Sequence, residues 1–367
     1  MIKKQPPYQI IIVTGSYPPQ PCGIGDYIFH VLSALADRLQ IMLVTPRIPP
    51  ESSQLPGIEY APYPAQLAHL ERFPSGGLIH WHLITRGFRM DLLFLFWMFY
   101  CRVRNRKYIQ LVTLHDYRTL HPLNRVRLRL AALFCHALVG TTKEDSKRFK
   151  KWGKLVFQIP IGANLPWRSR WSQGDQKNHL RVTIYGFPHP NRLLDRILPA
   201  INQYRREIGP VTLRLIPGWT NISLAQQKKY EDMITRWELK SEVECSGFLT
   251  EDEVEQELLA SDLSCLFFRD GISLRRTSFI GSAGLGIPMI CNSGPSTPRE
   301  LSRRLPCSMI KTVTPDKIFQ QLRRFTNNPA LFIREAEILA HFIQTYHSWP
   351  IIAQQHSKVY QQLCIKK

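Results

Sequence analysis

Short β-rich runs alternate with helical stretches along the whole chain, and this alternation constrains the fold more than any other feature. In the first half, the β-rich runs are Gln9–Thr14, Ile41–Thr45, Gly77–His82, Ile109–Leu114, Ala137–Gly140 and Leu155–Ile159. In the second half, they are Arg181–Tyr185, Thr212–Ile216, Val243–Ser246, Leu263–Phe268 and Pro288–Cys291. Strands that alternate with helices are typical of parallel sheets with crossover helices. The sequence therefore predicts an α/β fold with one doubly wound domain in each half.

A polar stretch, PWRSRWSQGDQKNH, follows Leu165 and separates the two halves. We interpret residues 166–180 as a linker, with one domain before it and another after it. Doubly wound domains bind ligands at the carboxyl ends of their strands. Two such domains therefore predict a ligand site in a cleft that both of them face.

The apolar content is high enough for packed cores. Hydrophobic residues make up 44% of the 367 residues, which excludes a disordered or low-complexity chain. The longest apolar run, Leu92–Cys101, is half of the ~20 residues that a membrane-spanning helix needs. We predict a buried helix there. The basic residues that follow it in the sequence, Arg102, Arg104, Arg106 and Lys107, also permit an amphipathic helix at a membrane surface.

The eight cysteines form no C-x-x-C pair, which argues against a zinc ribbon or a disulfide scaffold and fits reduced cytosolic thiols.

Positive charge is concentrated in the first half of the chain. The formal net charge is +20, and residues 1–180 hold 24 Lys and Arg against 10 Asp and Glu. Residues 181–367 hold 24 against 18. Such a basic half suits an acidic partner, which could be a membrane surface, a phosphorylated substrate or a nucleic acid, or it is simply a solvated surface. No RNA-recognition, helix-turn-helix or zinc-finger pattern is present, so we predict no nucleic-acid partner.

A glycine-containing segment joins the first β-rich run to a helix that we predict from about Gly25 to Arg38. Gly23 and Gly25 permit a close approach of the backbone to an anionic ligand, and the helix N-terminus offers unpaired N–H groups to it. The segment is not the dinucleotide-binding fingerprint, because the third glycine of that pattern is absent. A plain strand-to-helix turn is the alternative interpretation.

Further segments occur in a characteristic order along the chain. They are YPPQPCGIGDY at 17–27, VTLHD at 112–116, IPIGAN at 159–164, YGFPHPNR at 185–192, FRDGISLRRTS at 268–278 and SWPIIA at 348–353. Together they resemble GT-B glycosyltransferases of the group 1 (family 4) type. The resemblance implies two Rossmann-like domains facing a central cleft, and transfer of a sugar from a nucleotide-diphosphate donor to a glycan or lipid-linked acceptor. It implies a role in cell-surface polysaccharide synthesis, in the cytoplasm or at the inner face of the membrane, with no cofactor and no metal.

The resemblance also assigns roles to the two halves. Residues 1–165 correspond to the acceptor domain, which a return helix at 346–367 completes. Residues 181–345 correspond to the nucleotide-sugar donor domain. The basic first half favours an anionic membrane surface as a further partner.

The resemblance implies functional roles for seven residues. His115 corresponds to a histidine that faces the cleft, and we predict it as a catalytic residue that contacts the transferred sugar or the reacting phosphate. Asp116 is interpreted as the end of its strand. The donor-binding positions are Gly23, Gly25, Arg192, Ser273, Arg275 and Arg276. Arg192 replaces the lysine that grips the donor diphosphate, and a guanidinium offers a bidentate fork to phosphate.

The sequence departs from the family's paired glutamates, which are separated by seven residues. Their positions are occupied by Ser273 and Gly281. Asp270 could take over the first role, so we predict Asp270 as a catalytic residue. The alternatives are a catalytically inactive module that binds a glycan, nucleotide or partner, and a sugar-nucleotide epimerase. His80 and His82 share a strand face, but no third ligand is nearby in the sequence, so we predict no metal site.

Overall fold

The β-rich runs form two parallel sheets in a computed structural model of the chain. The structure describes residues 10–20, 22–63, 77–83, 92–103, 108–115, 117, 121–163, 165–172, 179–186, 189, 191–218 and 222–365. The predicted fold class, α/β with two doubly wound domains, is confirmed. The chain divides into a first unit, Met1–Gly162 with Ser348–Lys367, and a second unit, Ala163–His347.

The first sheet has the strand order β3-β2-β1-β4-β5-β6-β7. Its strands are β1 (Ile10–Thr14), β2 (Ile41–Thr45), β3 (Ile58–Pro62), β4 (Leu78–Leu83), β5 (Ile109–Leu114), β6 (Ala137–Gly140) and β7 (Leu155–Gln158). The helices of this unit are α1 (Gly23–Leu35), α2 (Leu92–Val103), α3 (Pro122–Phe134), α4 (Lys143–Lys150) and α12 (Trp349–Ile365), with a short 3-10 helix at Glu51–Ser53.

Helices cover both faces of this sheet. Ile11 and Val13 of β1 pack with the apolar side chains of α2 and α3, whereas Ile10 and Ile12 pack with α1 and α12. This alternation follows the two-residue period of a strand. Because both faces are covered, every residue of β1, β2, β4 and β5 is buried.

The second sheet has the strand order β10-β9-β8-β11-β12-β13. Its strands are β8 (Leu180–Tyr185), β9 (Val211–Ile216), β10 (Val243–Cys245), β11 (Leu263–Leu266), β12 (Met289–Asn292) and β13 (Met309–Ile310). The helices of this unit are α5 (Leu194–Glu207), α6 (Leu224–Arg236), α7 (Glu251–Leu259), α8 (Thr277–Leu285), α9 (Arg299–Arg304), α10 (Pro315–Asn327) and α11 (Pro329–His347).

Some elements differ from the sequence predictions. Helix α1 begins at Gly23 and ends at Leu35, two and three residues earlier than predicted. The run Leu92–Cys101 lies in α2 as predicted, but the prediction that this helix is buried is wrong for one face, where Phe96 and Phe99 are exposed. None of the described helices combines the length and the apolarity that a membrane crossing requires.

The described parts of the predicted linker, residues 166–172 and 179–180, belong to the second unit. The indole Nε1 of Trp167 donates to the carbonyl of Gly281 at 3.3 Å, and that of Trp171 donates to the carbonyl of Ser261 at 2.7 Å. This part of the segment is therefore packed against the second unit.

Candidate active-site residues

Each sheet reverses its strand order at one point, and the predicted site residues lie close to these points. In the first sheet, β1 pairs with β2 on one side and β4 on the other. In the second, β8 pairs with β9 and β11. The carboxyl ends of strands at such a switch point form the usual ligand site of a doubly wound domain.

The glycine-containing segment of the first unit follows β1. An added Cβ at Gly25 would lie 3.2 Å from the backbone nitrogen and Cα of Tyr17 and 3.2 Å from Ser16 Oγ, so the helix start packs tightly on the residues after β1. Gly23 differs, because an added Cβ there meets no atom within 4 Å. Within the first unit, Gly25 therefore makes a close backbone contact and Gly23 does not. The predicted approach of both glycines to an anionic ligand stays a prediction.

His115 lies at the carboxyl end of β5 and belongs to a buried histidine cluster, which we define as His80, His82, His115 and His356. His82 Nδ1 is hydrogen-bonded to His115 Nε2 at 3.2 Å. His80 and His82 lie on one strand face, as predicted, with ring centroids 4.1 Å apart. Asp116 lies outside the described residues. Within the described parts of the chain, no group of three or more His, Cys, Asp or Glu side chains could hold a metal ion.

Hydroxyl groups hold the other members of the histidine cluster. His80 is hydrogen-bonded to Thr113 Oγ1 at 2.7 Å and to Tyr360 Oη at 2.8 Å. His356 Nε2 is hydrogen-bonded to Tyr27 Oη at 2.6 Å. His356 and Tyr360 come from α12, and sequence reasoning missed both. Their spacing of four residues, which places both side chains on the apolar face of α12, was the available signal.

Burial keeps three of these imidazoles neutral. It lowers the pKa of His80 and of His82 well below the usual value for histidine, and neighbouring histidines lower both further. Burial lowers the pKa of His356 to about 3. A neutral imidazole carries one donor and one acceptor, so a chain of such rings can hold His115 in a fixed orientation at the strand end.

Arg192 lies beside the switch point of the second sheet and is only 8% exposed. Its guanidinium lies over the ring of Phe268 at 4.8 Å, and Nη2 donates to Ser278 Oγ at 3.0 Å. Nη1 is buried and has no hydrogen-bond partner among the described residues. Burial, together with the nearby charge of Arg276, lowers the pKa of Arg192 to about 9. The site therefore holds a desolvated cation with an unused donor.

Gly186 makes room for this guanidinium. Its φ is +108°, and an added Cβ would lie 2.0 Å from Arg192 Nη2. Arg192 precedes α5, which begins at Leu194. The helix that begins at this site is α8, whose first turn contributes Ser278.

Arg276 is the second cation of this site and immediately precedes α8. Its guanidinium lies 3.9 Å from the centroid of the Phe268 ring, and it forms an ion pair with Asp270. Asp270 also accepts a hydrogen bond from Ser296 Oγ at 3.0 Å. No described side chain caps the N-terminus of α8, which carries partial positive charge. Two guanidinium groups and a helix N-terminus together form a site suited to an anion.

A neighbouring loop fixes the position of Asp270. The backbone N–H of Ser296 donates to the Asp270 carbonyl at 2.9 Å, and an added Cβ at Gly271 would lie 2.3 Å from the backbone nitrogen of Gly294. Asn292 bonds both backbone groups of Phe268, through Oδ1 at 2.9 Å and Nδ2 at 2.8 Å. Sequence reasoning missed Asn292 and Ser296, although the S-G-P-S-T run directly after β12 marks a loop.

Solved structures of the same architecture cover nearly the whole chain. Sucrose-phosphate synthase from Thermosynechococcus elongatus matches with a TM-score of 0.69 and 15% identity, over 98% of this chain and 100% of that chain. HepE from Anabaena, in complex with UDP and glucose, matches with a TM-score of 0.73 and 15% identity, over 97% and 100%. A glycosyltransferase from Rickettsia africae matches with a TM-score of 0.73 and 9% identity, over 98% and 99%.

The chain has the GT-B fold. No protein-family model matches the sequence, and no curated protein matches it significantly. The likeness to GT-B structures therefore concerns the backbone, and the chemistry depends on the residues that this chain places on it.

Within this GT-B chain, the positions that correspond to the paired glutamates have different surroundings. Ser273 is buried, and its carbonyl accepts a hydrogen bond from the N–H of Arg276 at 3.2 Å. Gly281 lies in the buried middle of α8, where an added Cβ would come within 2.9 Å of Leu165 Cδ1. A glutamate does not fit at this position without moving Leu165. Arg275 is half-buried.

Proposed function

We propose that the chain is a glycosyltransferase whose donor is a nucleotide-diphosphate sugar. The observation that carries the proposal is the buried Arg192, with an unused donor nitrogen, beside Arg276 and the start of α8. A diphosphate supplies the negative charge and the acceptor oxygens that the buried Nη1 of Arg192 lacks. HepE, which has the same fold, was solved in complex with UDP-glucose, and this supports a UDP-sugar as the first donor to test.

The same residues suit the chemistry of transfer. Breaking the bond between a sugar and a diphosphate leaves negative charge on the leaving phosphate. Fixed cations stabilise that charge without reorganisation, because they are already oriented by Phe268 and Ser278. In this proposal the second unit binds the donor, and no metal is required. Asp270 and Ser273 are proposed to bind hydroxyl groups of the donor.

The first unit is proposed to bind the acceptor. His115 would contact the transferred sugar, held in orientation by its hydrogen bond to His82. The excess of Lys and Arg in the first half supports an anionic acceptor, such as a lipid-linked glycan intermediate of a cell-surface polysaccharide.

Calorimetry with UDP tests the donor site. Arg192→Ala is expected to weaken UDP binding by about 1.5–3 kcal/mol, since it removes a charged hydrogen bond from a desolvated site. Arg323→Ala, which removes an exposed arginine from α10, is the matched control and is expected to bind UDP like the unaltered chain. Equal UDP affinity in Arg192→Ala and the control would refute the site.

A second candidate is an inactive GT-B module that binds a nucleotide or glycan, and the packing of Leu165 against Gly281 favours it. Release of UDP from UDP-sugars, with and without added glycan acceptors, separates the two. Acceptor-dependent release supports the transferase, and tight UDP binding without any turnover supports the module. Conversion of the UDP-sugar into its epimer without an acceptor would indicate an epimerase.

A further inference from the structure

Helices α2 and α3 of the first unit carry an apolar surface that faces solvent. Seven of their apolar side chains are 42–62% exposed. We define these as the α2–α3 face: Phe96, Phe99, Val103, Leu123, Val126, Leu130 and Leu133. Within each helix they recur at intervals of three and four residues, so they form one stripe per helix.

These stripes are additional to the faces that build the core. On α3, Leu128, Ala131 and Ala132 are buried against the sheet, and on α2 Met98 and Cys101 are buried. Each helix is therefore apolar on two faces, of which only one is used in the unit. The two helices contact each other beside these stripes, because the ring of Phe99 lies 5.5 Å from that of the partly buried Phe134 on α3. An exposed apolar surface of this kind marks an interaction site.

Positive charge accompanies this surface. The helices α2 and α3 contain four arginines, Arg102, Arg125, Arg127 and Arg129, and no Asp or Glu. Arg102 and Arg129 are exposed, and Arg129 is oriented by a hydrogen bond from Nε to Tyr117 Oη at 3.1 Å. At the C-terminal end of α3, Lys154 Nζ donates to the carbonyls of Leu133 and Cys135 at 3.2 and 3.0 Å. The partner must therefore be both apolar and anionic.

We propose that the α2–α3 face inserts into the headgroup region of a bilayer that contains anionic lipids. A helix of 12 or 13 residues is about 20 Å long, which is too short to span a bilayer but suits one that lies in its plane. The apolar stripes would enter the boundary between headgroups and acyl chains. The arginines and Lys154 would remain at the level of the lipid phosphates. This proposal does not depend on the proposed transferase activity.

Co-sedimentation with vesicles tests the proposal on the full chain. One set contains phosphatidylcholine alone, and the other contains phosphatidylcholine with about a third of phosphatidylglycerol. Binding is expected to the anionic vesicles and to be released at high salt, because the attraction is screened. Leu130→Asn with Leu133→Asn is expected to reduce the partition coefficient about tenfold or more. Arg102→Gln with Arg129→Gln is expected to reduce the partition coefficient about 25-fold, because each cation near an anionic surface contributes about fivefold.

Leu331→Asn with Ile338→Asn is the matched control, because both side chains are exposed apolar residues on α11 of the second unit. This control is expected to bind like the unaltered chain. Circular dichroism spectra and melting curves establish that each variant is folded. Equal binding to both vesicle types, no binding to either, or unchanged binding by both α2–α3 variants would overturn the proposal. A concentration-dependent dimer that the Leu130 and Leu133 variant abolishes, without vesicle binding, would instead identify a protein interface.

Discussion

At the scale of single residues, the two glycines after β1 differ in their packing, although they lie two residues apart in one segment of the sequence. An added Cβ at Gly25 meets the backbone of Tyr17 at 3.2 Å, whereas at Gly23 it meets nothing. Gly25→Val is therefore expected to destabilise the chain by about 1–3 kcal/mol, the usual cost of overpacking. Gly23→Ala is expected to be neutral or stabilising by up to about 1 kcal/mol, since alanine favours a helix.

Urea unfolding of both glycine variants checks this pair of expectations. Equal stability of Gly25→Val and the unaltered chain would mean that the start of α1 moves away from Tyr17 at little cost. A large loss in Gly23→Ala would mean that its backbone is not helical in solution.

The sequence was informative about site residues that are close together along the chain. Asp270, Ser273 and Arg276 were predicted within one segment, 268–278, and the ion pair between Asp270 and Arg276 agrees with that proximity. Contacts between distant segments were not predictable. His356 reaches the histidine cluster from α12, and Ser296 reaches Asp270 from the loop after β12. A periodic pattern reports which face of an element is buried, but not which element covers it.

At the scale of elements, α8 is packed through two of its glycines. An added Cβ at Gly284 would lie 2.1 Å from Trp167 Cε2, and one at Gly281 would lie 2.9 Å from Leu165 Cδ1. Gly284→Ala is expected to destabilise the second unit by about 1–3 kcal/mol, because the indole of Trp167 must move. Gly247→Ala is the matched control, since an added Cβ at Gly247 meets nothing within 4 Å.

Chemical denaturation followed by tryptophan fluorescence measures both variants. Equal midpoints for Gly284→Ala and Gly247→Ala would contradict the packing of Trp167 on α8. The result also bears on the missing glutamate at position 281. It measures how strongly the segment with Leu165 and Trp167 is held against the face of α8 on which Gly281 lies.

Strands buried on both faces were the most predictable elements. The bounds of β2, β5 and β6 match the prediction, because a fully buried strand is a continuous apolar run. Strand β3 was missed, because it lies at the edge of its sheet, ends in proline and buries only Ile58 and Ala61. Strand β13 was missed because it is only two residues long, too short to carry a pattern.

At the scale of the whole molecule, the histidine cluster makes stability depend on pH. Burial lowers the pKa of His80, His82 and His356 below the value of about 6.5 that histidine has in an unfolded chain. The unfolded state therefore binds more protons than the folded state at every pH between about 6.5 and the lowered pKa values of these histidines in the folded chain. Among the described residues, these rings are hydrogen-bonded to Tyr27, Thr113, His115 and Tyr360, and none of these partners is a carboxylate that would compensate a protonated ring.

The sign follows from this difference in proton binding. The stability that these neutral rings contribute is complete above pH 6.5 and is lost as the pH falls towards about 3, where His356 itself titrates. Each ring is expected to contribute a slope of about 1.4 kcal/mol per pH unit to the free energy of unfolding in this range.

Urea unfolding at pH 7.5, 6.5 and 5.5 measures the total slope. His356→Phe is expected to reduce it by the share of one ring, whereas His341→Gln, which alters an exposed histidine of α11, is expected to leave it unchanged. An identical slope in His356→Phe and His341→Gln would mean that carboxylates or general charge repulsion, and not the cluster, govern acid unfolding.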